Sequence, residues 1–139
     1  MKKTLSVISA AAIMITAAMC LSGCGKYSSH YNAVAFVHSN ESKSAFMNFY
    51  EFEGRMVFRL KNKDKGKIRY SVSLKDGDAD IFYDCGRGKA ALCSVKSGDN
   101  QAAETGELDI GAVYIIVETN GKCMNGEFDF KIEDSPAEE

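Results

Sequence analysis

Tryptophan is absent from this chain, proline occurs once and histidine only twice. Sugar-binding sheets often expose tryptophan or tyrosine as a flat apolar platform with a polar edge, and here only tyrosine is left for that role. The two histidines, His30 and His38, lie close together in the first third of the chain. A histidine-based acid–base or nucleophile relay therefore has little to work with. Neither G-x-S-x-G nor H-E-x-x-H occurs, so the usual serine-hydrolase and zinc-peptidase arrangements are missing as well. Cysteine is sparse and never spaced C-x-x-C, which speaks against a zinc site. Basic residues do not outnumber acidic ones, with 17 Lys and Arg against 19 Asp and Glu. That balance argues against a nucleic-acid partner and against a polybasic grip on anionic lipid.

What is present begins at the N-terminus. Met1-Lys2-Lys3 forms a short positive segment, and "TLSVISAAAIMITAAMCL" follows without a charge as far as Leu21. A positive flank, an apolar middle and small residues at the exit describe a cleaved export signal rather than a permanent span. The segment closes on Leu21-Ser22-Gly23-Cys24, which resembles the lipobox of bacterial lipoproteins. That resemblance implies a diacylglycerol on the Cys24 thiol and cleavage just before it. Small side chains at Ser22 and Gly23 suit an extended backbone entering a peptidase cleft. Cysteine alone supplies the soft nucleophile for a thioether. Acyl chains at about 0.8 kcal/mol per buried methylene would then hold the protein on a membrane. The expected place is the outer face of a bacterial cytoplasmic membrane, of the Gram-positive type.

Residues 1–23 are thus expected to be removed, with 24–44 a lipidated cysteine and tether. Removing Lys2 and Lys3 from the 17 basic residues leaves 15 against 19 acidic ones, a formal balance of −4. Residues 134–139, inside "EDSPAEE", are expected to form a disordered acidic tail. Cys85, Cys93 and Cys123 remain after Cys20 and Cys24 are accounted for. At most one disulfide can form among three thiols, and spacing does not say which.

Between these ends, residues 45–133 read as strands. Met56, Phe58 and Leu60 alternate with Arg55, Val57, Arg59 and Lys61, while Ile68, Tyr70, Val72 and Leu74, and again Phe128, Phe130 and Ile132, alternate with polar residues. Such alternation marks half-buried strands with one wet face. "VYIIV" (113–117) is apolar on both faces, as a more covered central strand would be. "DADIFYDC" and "AALCSV" supply two further strands, with Ile81 on the inner face of the first. The stretch "SKSAFMNFYEFEG" fits either a helix or a strand, and strand is the preferred reading. Turn-forming runs such as "KDGD", "SGDN" and "TNGK" separate the elements. The expected fold is all-β, a single antiparallel β-sandwich of roughly seven to eight strands.

Two stretches, "DGDADIFYDCGRG" and "GAVYIIVETNGKCMNGEFDFKI", resemble the bacterial pre-peptidase C-terminal type of β-sandwich. That family tends to carry a Gly-Asp-x-Asp-apolar strand, here Gly77 to Ile81, and a closing Gly-x-Phe-x-apolar strand, here Gly126 to Phe130. Val113 stands where the family usually has an aromatic. The resemblance implies a sandwich over roughly residues 45 to 133. The whole chain also resembles small lipid-anchored sandwich proteins of Gram-positive bacteria.

Two groups of residues are candidates for chemistry. Asp78, Asp80 and Asp84 share strand parity, and the D-G-D-A-D pattern is similar to calcium loops, which offer alternate oxygens to a hard cation. Some members of the resembling sandwich family bind calcium; a solvated strand face is the plainer reading. Phe82 and Tyr114 fall on the parity opposite to the core and would form either an aromatic binding face or the second buried side of a central strand. No catalytic set emerges, so the chain is expected not to be an enzyme. The expected function is a lipid-anchored binding or structural module contacting a glycan or a protein. The alternative is an accessory or inhibitor protein for a secreted hydrolase.

Overall fold

The computed structural model describes residues 27–134, and every regular element among them is a β-strand. In chain order these are β1 (His30–Val34), β2 (Val37–Asn40), β3 (Ser44–Asn62), β4 (Lys67–Asp76), β5 (Asp78–Asp84), β6 (Ala90–Lys96), β7 (Asn100–Glu104), β8 (Gly111–Thr119) and β9 (Cys123–Glu133). The ambiguous stretch around Phe46 is therefore strand, and it runs straight on into the "RMVFRLK" strand as one 19-residue element.

β3 organises the fold because it serves two layers. Its first half pairs with β9, from Ser44↔Lys131 to Phe52↔Cys123. Its second half pairs with β8, from Arg55↔Glu118 to Asn62↔Gly111. Strand order across the sheet is β6-β5-β8-β3-β9-β4-β7, antiparallel throughout. The inward residues of β3 are Ala45, Met47 and Phe49, and then Phe52, Met56, Phe58 and Leu60. This change of parity marks where the strand turns from one layer into the other. Tyr50 and Phe52, two residues apart, do not share a buried face: Tyr50 is 49% exposed while Phe52 is fully buried. At the corner, Gly126 lies so close under the Phe49 ring that a Cβ there would run into Cε1 and Cε2. Asn125 beside it takes a left-handed φ of 52°. The two layers meet face to face, with the rings of Phe58 and Phe130 6.1 Å apart.

The core contains Met56, Phe58, Leu60, Ile68, Val72, Leu74, Ile81, Val113, Ile115, Val117, Phe128, Phe130 and Ile132, with Tyr70 half-buried against it. Alternation predicts that whole set. Ile116 is buried on the opposite face of β8, as the two-sided apolar pattern of "VYIIV" implies. Cys85, Cys93 and Cys123 are all free thiols.

The tether expected over 24–44 needs correction from Tyr27 onward. β1 and β2 pair with β3 in one continuous register, for example Tyr31↔Gly54 and Val37↔Asn48. Ala35, at a φ of 51°, breaks the strand between them. As an edge strand it is wet along most of its length, so its sequence lacks clean alternation; β7 is exposed in the same way. Tyr31 and Phe36 fasten this edge, with ring centroids 5.0 and 5.2 Å from Phe52. Among the described residues the sandwich thus has nine strands, and it starts well before residue 45. The signal segment, the lipobox Leu21–Cys24 and residues 135–139 lie outside the described residues. Asp134, the first residue of the expected tail, pairs with Lys43 at 2.6 Å.

The two ends of the sandwich differ. At one end the β3–β4 turn meets the 105–110 loop around Asn62, which is 1% exposed. Its Nδ2 donates to the carbonyls of Leu108 and Asp109 at 3.1 and 3.0 Å, and its Oδ1 accepts from Gly66 N at 2.7 Å. Arg87, from the loop before β6, joins the same end through Asp109 at 2.6 Å. At the opposite end the turns after β4, β6 and β8 gather, with Gly77 N donating to Ser97 Oγ and Asn120 N to Asp78 O.

Candidate functional site

Asp78, Asp80 and Asp84 do share the outer face of β5, whose register with β8 is unbroken. Parity is not proximity, however. Four residues of strand separate Asp80 from Asp84, a distance of about 13 Å. Cation–oxygen distances are near 2.3–2.6 Å, so one ion cannot take both. Each carboxylate also has its own partners. Asp78 faces Lys96 at 3.4 Å. Asp80 accepts from Ser94 Oγ at 2.7 Å and Asn120 Nδ2 at 3.2 Å, and these hydrogen bonds lower its pKa. Among the described residues, no three His, Cys, Asp or Glu side chains come together to hold a metal ion.

Asp84 is buried. Its Oδ1 accepts from Gly86 N and Gly88 N at 2.8 and 3.2 Å, and its Oδ2 accepts from the Tyr27 hydroxyl at 2.7 Å. That last bond, with burial, pushes the Tyr27 pKa up to about 12. Tyr27 also stands edge-on to Tyr114, with centroids 5.5 Å apart. Phe82 lies beneath the Lys89 ammonium at 4.4 Å. The outer aromatics of β5 and β8 are therefore half-covered by the chain's own residues rather than open as a platform.

An open surface exists on the other layer. A groove of about 540 Å³ runs over the outer face of β4, β7 and β9. Cross-strand register builds it. Ser71 stands opposite Ala102 and Asp129, while Arg69 stands opposite Glu104 and Lys131. Small side chains at Ser44, Ser71, Ala102 and Ala103 leave the trough, and Arg69, Glu104, Asp129 and Lys131 wall it. Arg69 is oriented by Glu133, which accepts two hydrogen bonds from Nη1 at 2.9 and 3.1 Å. Arg69 and Lys131, directly opposed like charges, cost the sheet stability. The groove thus offers both charge-bearing donors and acceptors to a ligand. Its lining contains no histidine and no thiol.

Two of the thiols elsewhere, Cys93 and Cys123, are not poised nucleophiles. Burial raises the Cys93 thiol to about 11, with Asp80 adding to the effect, and burial also raises Cys123. Such thiols stay protonated near neutral pH. Sequence reasoning reads Arg69, Ser71, Asp129 and Lys131 as wet-face residues of their strands, but it does not bring them together. That juxtaposition depends on the β4–β9 register, and on β7, whose sequence gives no strand signal.

No family model matches the chain, and no curated protein matches it. Among solved structures, the chain is similar to a family 61 carbohydrate-binding module in complex with β-1,4-galactotriose. The match has 12% identity and a TM-score of 0.49, covering 77% of this chain and 88% of that one. It is also similar to a mutant of a family 29 carbohydrate-binding module complexed with mannohexaose, at 12% identity and a TM-score of 0.38, covering 75% of this chain and 77% of that one.

Proposed function

We propose that this chain is a non-catalytic binding module, held on the outer face of a bacterial cytoplasmic membrane by a lipid on Cys24, whose groove on β4, β7 and β9 takes a polyhydroxylated polymer such as a cell-surface glycan. The groove is the observation that carries the reading. Sugars present alternating hydroxyl donors and acceptors, and a cleft in which Arg69 and Lys131 donate while Asp129 and Glu104 accept can satisfy both. A sheet face suits an extended polymer because the strands set a straight row of polar side chains at fixed spacing. The lipobox supports the location, and a compact sandwich that begins within a few residues of Cys24 suits display close to the surface.

The test is retention on insoluble cell-wall polysaccharide. The mature chain should be retained, and Arg69→Ala and Asp129→Ala should each weaken retention about tenfold, the effect of losing one charge-assisted hydrogen bond. Asp80→Ala, on the other layer, should leave it unchanged. Retention that ignores Arg69 and Asp129 would remove the groove from the account.

A further inference from the structure

We propose that the sandwich stands end-on to its membrane, with the end that carries Lys61, Lys63 and Ile110 against the lipid headgroups. This rests on the reading of Cys24 as the lipid-bearing residue. It adds to that reading a fixed orientation and a membrane-contacting surface.

The argument starts from where the N-terminal chain is fastened. His30 pairs with Arg55. Ser29 Oγ accepts from Val57 N at 2.8 Å. Tyr27 then reaches Asp84 and Tyr114, and Tyr114 is the cross-strand partner of Arg59. Traced backwards from His30, the chain therefore runs beside β3 from the level of Arg55 to that of Val57, and Tyr27 reaches the level of Arg59. The next levels are Lys61↔Ala112 and Asn62↔Gly111, at the end where Asn62 gathers the β3–β4 turn and the 105–110 loop.

Chain length decides the orientation. Cys24 precedes Tyr27 by three residues, a reach of at most about 11 Å. A strand of ten residues, such as β4, spans about 33 Å. While Tyr27 stays on Asp84, the lipid can bring the near end to the bilayer and leaves the far end, with Lys75, Lys96 and Lys122, standing away from it.

The near end is suited to contact. Lys61, Lys63 and Lys65 are exposed on or beside the β3–β4 turn, and Ile110 is 61% exposed on the neighbouring loop. Asp109, an acid at the same end, is held by Arg87. A basic side chain near an anionic surface contributes about 1 kcal/mol. The overall balance of −4 argues against lysines capturing a membrane unaided, but an end already delivered by a lipid needs them only to settle its tilt.

The test is lysine footprinting of the full lipidated protein on phosphatidylglycerol–phosphatidylcholine vesicles, using a membrane-impermeant acylating reagent and mass spectrometry. The mature chain carrying Cys24→Ser, free in solution, is the reference. Acylation of Lys61 and Lys63 should slow several-fold on vesicles, while Lys75, Lys96 and Lys122 react as in solution. In Tyr27→Ala, which still carries its lipid, the protection should fall away as the leash lengthens. Even acylation of all lysines on vesicles, or protection of Lys75, Lys96 and Lys122, would overturn the proposal. Flotation of the same sample separates the two readings. Protein that floats but is acylated evenly overturns the orientation alone, and protein that does not float overturns the lipid on Cys24 and the orientation with it.

Discussion

Asn62→Ala should destabilise the fold by about 2–6 kcal/mol, because it strands buried backbone groups of the β3–β4 turn and the 105–110 loop. Asn62 is 1% exposed, and its bonds to Gly66 N and Leu108 O are both buried. Each buried polar group left without a partner costs about 1–3 kcal/mol. The third bond, to Asp109 O, is only partly buried, so water can replace it at little cost. Asn40 gives a control with the same chemistry. Its Nδ2 donates to Arg59 O and its Oδ1 accepts from Arg59 N, both at 2.9 Å, but at an exposed site. Asn40→Ala should therefore cost less than about 1 kcal/mol, since water takes over both groups. Urea unfolding of the mature chain resolves the difference. With a slope of about 2 kcal/mol per molar, the midpoint of Asn62→Ala should fall by about 1–3 M and that of Asn40→Ala by a few tenths. Equal losses in the two variants would refute the claim that burial, rather than bond count, sets the cost.

Three other outcomes are expected. Cells fed a labelled fatty acid should label the wild-type chain and not Cys24→Ala; equal labelling would remove the lipid from the account. The Tyr27 hydroxyl, raised to about 12 by its bond to Asp84, keeps its proton more tightly in the folded chain than in the unfolded one. Its contribution to holding the N-terminal segment is therefore fully present below pH 10 and lost as pH rises through 12. Burial raises Tyr31 and Tyr70 as well, so ultraviolet titration should show several late tyrosines, of which the one near 12 disappears in Tyr27→Phe. Millimolar calcium should leave the thermal midpoint of the mature chain unchanged, because Asp78, Asp80 and Asp84 are held apart by their own partners. A rise of several degrees that vanishes in Asp80→Asn would establish a calcium site.

The inner faces of β4, β8 and β9 are legible because alternation there coincides with burial: Val72, Ile115 and Phe128 occupy the positions that period two assigns them. The corner in β3 is not legible. Its parity changes between Phe49 and Phe52, next to the place where Gly126 of the neighbouring strand passes under the Phe49 ring, and no local sequence pattern marks that contact. The edge strands hide for a different reason. β1, β2 and β7 bury little, so composition leaves them no periodic mark, and their pairing comes from the free edges of β3 and β4. The groove inherits this difficulty: Arg69 and Ser71 are read as wet, but Ala102 and Glu104 reach them only through β7. Tyr27 and Asp84 are 57 residues apart in sequence, and nothing local joins them.

The most direct test of the central claim is a titration of the mature chain with soluble cell-surface glycan fragments, followed residue by residue through backbone amide chemical shifts. The account predicts that perturbations concentrate at Arg69, Ser71, Ala102, Asp129 and Lys131, and that Asp129→Ala moves their midpoint to about tenfold higher fragment concentration. Perturbations gathered on the outer face of β5 and β8, or none at saturating concentrations of every fragment, would contradict it.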